Sequence, residues 1–85
     1  MPEQEIGEVI HFFGNILVAV IKIKKDDISV GDTLHIKGHS TDFIQPVDSL
    51  QIDHKPVQTV KKGDDFGIKV KDKCREGDLV YKVTA

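Results

Sequence analysis

The hydrophobic period of this chain is two almost everywhere, and that restricts it to pleated structure. Ala19, Ile21 and Ile23 alternate with Val20, Lys22 and Lys24. Leu34 and Ile36 alternate with His35 and Lys37, and Phe66, Ile68 and Val70 alternate with Gly67, Lys69 and Lys71. Alternation of this kind sends one set of side chains to a core and the other to water. Val and Ile dominate, and their branched Cβ atoms suit a pleated surface. No stretch long enough for a stable helix carries an i, i+3, i+4, i+7 apolar stripe. The pattern predicts six strands, near residues 5–13, 16–24, 33–37, 43–54, 65–71 and 79–83. The expected fold is all-β.

Turn chemistry agrees. Gly14-Asn15 separates two apolar strands and reads as a hairpin connection. Three Gly-Asp pairs, Gly31-Asp32, Gly63-Asp64 and Gly77-Asp78, each stand before a strand. Glycine accepts a positive φ, and the aspartate can hydrogen-bond the backbone it has just turned. The pairs are unevenly spaced, so they are a reused turn and not a repeat. Pro46 falls inside the fourth strand, where the inward parity also shifts from Phe43 or Val47 to Leu50 and Ile52; a bulge or an edge position explains both. Pro56 is expected to end that strand. Six short strands with no covering helix have exposed edges unless the sheet closes, which points to a small barrel.

Length and composition set the outer limits. Eighty-five residues make one small domain, residues 1–85, with one core. Such a chain buries only about 60% of its unfolded surface. A content of 39% hydrophobic and 31% charged residues argues against disorder and against a membrane protein. The longest apolar run, Ile16 to Ile21, is far shorter than the roughly 20 residues of a spanning helix. A net charge of −2 gives no overall field toward nucleic acid or anionic membranes. The acidic start, Met1-Pro2-Glu3-Gln4-Glu5, lacks the layout of a signal peptide, and the lone Cys74 can form no internal disulfide. The expectation is a soluble, cytoplasmic monomer.

Reaction chemistry finds little support. His35 and His39 are four apart but run from a strand into a turn, and His11 and His54 stand beside outward positions, so no zinc spacing is formed. Cys74 lies between Lys73 and Arg75, cations expected to lower its thiol pKa and favour oxidation or labelling. No nucleophile elbow accompanies it, or Ser40 or Ser49. Asp26-Asp27 and Asp64-Asp65 read as turn residues, and no phosphate-cradling GxxxxGK[ST] loop is present. No catalytic residue, metal ligand, cofactor or bound nucleotide is assigned.

The notable surface feature is a lysine alternation. Lys22 and Lys24 on the second strand, Lys69 and Lys71 on the fifth, and Lys82 on the sixth all occupy outward positions. Brought together, they would form a basic stripe able to follow a phosphate backbone. Lysines that solubilise outer strands and block edge pairing would look the same.

The segments Val30 to Gly38, Val47 to Ile52, Lys62 to Val70 and Gly77 to Lys82 together resemble the second domain of translational GTPases such as elongation factor Tu. The resemblance runs from about Gly7 to Val83 and implies a six-stranded Greek-key barrel of the translation-protein type. In that family the domain is non-catalytic and in several members contacts RNA, including the 3′ end of aminoacyl-tRNA. The correspondence places Gln51, His54 and Lys69 at positions of the terminal-adenosine pocket, each departing from the family's residue there. It implies an RNA-binding face (tRNA or rRNA) of Gln51, His54, Lys69 and Lys71, extended by Lys22 and Lys24. The chain is also similar to the accessory barrel of collagenase-like peptidases. That similarity implies the alternative: a protein-interaction module docking in trans onto a larger enzyme, such as a GTPase or peptidase.

Overall fold

The computed structural model describes residues 3–53 and 55–83. Its organising strand is β1 (Glu3–Phe13), whose 11 residues pair on both sides. Residues Glu3 to Glu8 run antiparallel to β10 (Leu79–Val83), and residues Gly7 to Phe13 run antiparallel to β2 (Val18–Ile23). Register shifts between Glu5 and Gly7 on one side, and between Val9 and His11 on the other, bend the strand and increase its twist. Gly7 sits where the backbones meet most closely. A Cβ there would lie 2.1 Å from the Lys22 carbonyl oxygen.

The other strands are β3 (Ile28–Ser29), β4 (Thr33–Lys37), β5 (Asp42–Pro46), β6 (Leu50–Ile52), β7 (Lys55–Val57), β8 (Thr59–Val60) and β9 (Asp65–Lys69). Eight strands form one sheet in the order β5-β4-β10-β1-β2-β9-β6-β7, while β3 and β8 pair separately. The pairings between described residues are antiparallel, and no helix occurs among those residues. The all-β class therefore stands. The expected six-stranded Greek-key barrel does not: the large sheet has eight strands, and no backbone ladder joins β5 to β7.

The predicted strand 43–54 accounts for most of that difference. It is two strands, β5 and β6, interrupted at Val47-Asp48-Ser49 and lying near opposite edges of the sheet. The parity shift marks this break and not a bulge. Pro46 does occupy an edge strand, where its missing N–H costs no ladder bond. Pro56 does not end a strand but lies in β7, the other edge, opposite Gln51.

A side chain links the curled sheet where the ladder does not. Gln45 on β5 is buried, its Nε2 donates to the Lys69 carbonyl at 3.0 Å, and its Oε1 accepts from the Lys71 N–H at 2.9 Å. The amide thus satisfies one acceptor and one donor at the end of β9, as a neighbouring peptide group would.

The Gly-Asp turns are three copies of one device. Gly31, Gly63 and Gly77 have φ of 102°, 92° and 93°, with no atom near a built Cβ, so conformation and not space requires glycine. In each copy the aspartate N–H donates to the carbonyl three residues back: Asp32 to Ser29, Asp64 to Lys61 and Asp78 to Arg75. Its carboxylate accepts the N–H of that same residue, at 2.8, 3.0 and 2.8 Å respectively. The first hairpin behaves differently. Its connection is Gly14 to Leu17, and the positive φ, 54°, falls on Leu17 instead of Gly14. Leu17 packs against the core, and its carbonyl accepts the Val70 N–H at 2.8 Å.

Inside the curl lie Ile6, Ile21, Leu34, Ile36, Phe66 and Val80, all at most 1% exposed. The β3–β8 ribbon adds Ile28 and Val60, both fully buried. Replacing Gln45 with Ala leaves the Lys69 carbonyl and Lys71 N–H without their partner. A loss of about 1–3 kcal/mol is expected in urea unfolding, with faster hydrogen exchange at the Lys71 amide. Unchanged stability and exchange would show that the seam carries no load.

Candidate functional site

The outward face of β1, β2, β9 and β6 is built from three cross-strand rows. One row is charged: Glu8 faces Lys22, which faces Asp65. The next is His11, Val20, Gly67 and Gln51. The third is Phe13, Val18 and Lys69. Valines at two successive outward positions of β2 give this face an apolar half, which Phe13 and Ile16 extend; these two are 45% and 59% exposed. The result is a groove of about 460 Å³. Val18, Val20 and Gly67 lie along its floor, and Phe13 and Ile16 stand on the hairpin side. Gln51, Asp53 and Asp65 supply its polar side. The ring of His11 meets Phe13 edge-on at 4.4 Å between centroids, and His11 Nδ1 lies 3.1 Å from Glu76.

The residues expected to act together border different depressions. Gln51 lines the groove, whereas Lys69 and Lys71 border a second depression of about 370 Å³ beside Gln45, Asp48 and Ser49. Lys22 stands between two carboxylates in the charged row, and Lys24 pairs with Glu8 at 2.7 Å. That hydrogen bond raises the Lys24 pKa above its ordinary value. Lys82 is enclosed by Asp26, Asp27 and Asp32 at 3.9, 3.6 and 3.7 Å. Lys22, Lys24 and Lys82 are thus interleaved with acids, whereas Lys69 and Lys71 stand together at the second depression. His54 lies outside the described residues.

Two side chains behave differently from expectation. Cys74 is buried, and its thiol is pushed up to about 11, first by desolvation and then by the charge of Asp78. Lys73 and Arg75 remain exposed and do not activate it. His35 bridges two carboxylates: Nδ1 donates to Glu3 at 2.5 Å, and Nε2 donates to Asp42. Both bonds need the imidazolium, and they raise the His35 pKa, Asp42 contributing most. Asp42 is lowered in turn by the same bond. Among the described residues, no group of three or more His, Cys, Asp or Glu is arranged to hold a metal ion. Among the same described residues, no helix is long and apolar enough to cross a membrane.

Sequence reasoning missed the groove, although the outward Val18 and Val20 beside Phe13 and Ile16 were its signal. Nothing in sequence pairs His35 with Glu3, 32 residues away.

Fold and surface together define a small all-β domain with an exposed apolar groove. It is similar to a segment of larger peptidases. An uncharacterised protease of Methanocaldococcus jannaschii is 42% identical over 78 residues, covering 91% of this chain and 19% of the protease. A collagenase of Porphyromonas gingivalis is 31% identical over 78 residues, covering 91% of this chain and 22% of the collagenase. The chain thus spans about a fifth of the length of these relatives. No protein-family model matches it. Among solved structures, the C-terminal domain of a Geobacillus thermoleovorans protein described as a U32 peptidase superposes with a TM-score of 0.87 at 14% identity. That match covers 95% of this chain and 93% of the other. The selenomethionine form of that domain gives 0.83 at 15% identity, covering 91% and 96%. These likenesses support the collagenase-like half of the expected resemblance and lend none to the elongation-factor half.

Two predictions follow from the titrating groups. A histidine with a raised folded pKa stabilises most below its unfolded value of about 6.5, and that contribution is lost as pH rises through the folded pKa. Urea unfolding at several pH values should therefore show His35-dependent stability falling toward alkaline pH, with the difference removed in His35→Gln. A His35 NMR titration midpoint at or below 6.5 would contradict the double bridge. Cys74 should resist an aromatic disulfide reagent in native buffer and react promptly in denaturant. Rapid native labelling would show that the thiol is accessible.

Proposed function

We propose that this chain is a non-catalytic accessory domain that acts by docking onto a larger, peptidase-like protein, either a separate partner or the polypeptide that carries it. The observation behind the reading is the alignment of 91% of this chain with only 19% of a protease. An apolar groove on an otherwise charged face supports it, because exposed contiguous apolar surface usually marks an interaction site. The domain carries no cofactor or nucleotide of its own in this reading and works in the cytoplasm.

RNA recognition through Gln51, His54, Lys69 and Lys71 is less well supported. The relatives carry protease and collagenase names, and of the lysines expected to extend that face Lys24 is paired with Glu8. The experiment is to mix the chain with the catalytic portion of a collagenase-like peptidase from which the matching segment has been deleted. Light scattering after size exclusion should show a one-to-one complex. The reading fails if no complex forms while tRNA binds saturably with a log–log salt slope of about −0.7 per phosphate contact, and Lys69→Glu or Lys71→Glu abolishes that binding.

A further inference from the structure

Neither a left-handed backbone nor lack of space requires glycine at position 67. It lies within β9, paired to Val20 on one side and Gln51 on the other, and it is not among the positive-φ glycines. A Cβ built on it would meet Val18 Cγ1 at 3.7 Å and the Gln51 carbonyl oxygen at 4.0 Å, both ordinary contacts. Glycine inside a strand weakens it and often marks a place where another molecule approaches the backbone. Here the absent side chain leaves the floor of the groove open between Val20 and Gln51.

The groove also has a charge sense. Asp53 and Asp65 line it, and no lysine or arginine does. Lys22 is the cross-strand neighbour of both Asp65 and Glu8, and Glu8 is bonded to Lys24; no ion pair to Asp53 or Asp65 occurs among the described residues. Lys69 follows Val18 in the neighbouring row but borders the second depression. An occupant that complements this surface has an apolar side chain to lie over Val18, Val20 and Gly67, with a cation beside it to reach the two carboxylates.

Resting on the docking reading above, we propose that the Gly67 groove receives a partner segment in which an aliphatic or aromatic side chain is flanked by lysine or arginine. Gly67 is then a specificity-determining position: it is kept small for the ligand and not for the fold. Exposed ion pairs contribute modestly, so the apolar anchor supplies most of the affinity and the carboxylates supply the charge preference.

The test uses a short synthetic peptide with a central Leu-Phe flanked by lysines, a second with glutamates in their place, and isotope-labelled protein. The lysine peptide should shift the amides of Val18, Val20, Gly67 and Gln51, and should bind about tenfold more tightly than the glutamate peptide. Gly67→Val should raise the unfolding midpoint, since valine suits a strand, while abolishing those shifts. Ile16→Glu, at a highly exposed position, should weaken binding without unfolding the domain. Equal binding of both peptides, shifts centred on Lys69 and Lys71, or undiminished binding by folded Gly67→Val would each overturn the proposal. An adenosine oligonucleotide competing for the same amides would overturn it too. A peptidase complex indifferent to Gly67→Val and Ile16→Glu would sink the groove and leave docking intact. Peptide binding with no peptidase complex would sink the docking reading alone.

Discussion

The Gln45 amide holds together what the backbone ladder leaves apart. An eight-stranded twisted sheet built on fewer than ninety residues curls strongly, bringing edge strand β5 to the end of the interior strand β9 without a shared ladder. Gln45 meets a carbonyl at Lys69 and an N–H at Lys71, so the gap is bridged by a group of peptide-like geometry. Burial of Val47 and Val70 beside this seam depends on the two sides remaining in place. The curl has its own origin in β1, where two register shifts and the close approach at Gly7 bend one strand between two partners. Edge chemistry completes the arrangement. Pro46 and Pro56 occupy the two edge strands, where they deny donors to a foreign strand.

Charge is distributed by the same pleat. The lysines of β2 and just beyond it meet acids: Lys22 lies in a row with Glu8 and Asp65, and Lys24 bonds to Glu8. Lys82 sits among three aspartates and also donates to the Asp27 carbonyl at 3.2 Å. Exposed pairs of this type contribute little to stability, but they keep both signs interspersed. They also neutralise the field a phosphate backbone would require. The pair Lys22-x-Lys24 therefore describes a balanced face, and the outer surface beside it is apolar.

What could be read in the sequence divides along range. The strands at 33–37 and 79–83 match β4 and β10, because alternation over five residues is a local signal. The Gly-Asp turns were equally legible, since each is closed within four residues by its own aspartate. β3 and β8 have two residues and β7 three, too few for a period to register. Pro46-Val47-Asp48-Ser49 reads as extended chain, so β5 and β6 appeared as one strand. The Gln45 seam spans 24 and 26 residues, and the Glu3–His35 bond spans 32; no local pattern encodes either. The Cys74 thiol shows the opposite hazard. Its sequence neighbours are cations, yet its spatial surroundings are apolar, and the surroundings decide.

Self-contained turns have a consequence for how this domain divides its surface. A turn that satisfies its own donors and acceptors needs no covering loop, so the strands can follow one another over very short connections. Ten strands then fit into a body 31 × 27 × 20 Å in extent, with the core inside the curl and few long loops outside. Most recognition surfaces are built on loops held by a scaffold. Here most connections are of four residues or fewer, the stretch from Val70 to Asp78 being the exception, and the groove lies on the sheet itself. On β9 Gly67 carries no side chain, and the apolar groove lies over it. The apolar face and the small residue within it are thus where the proposed docking would be made.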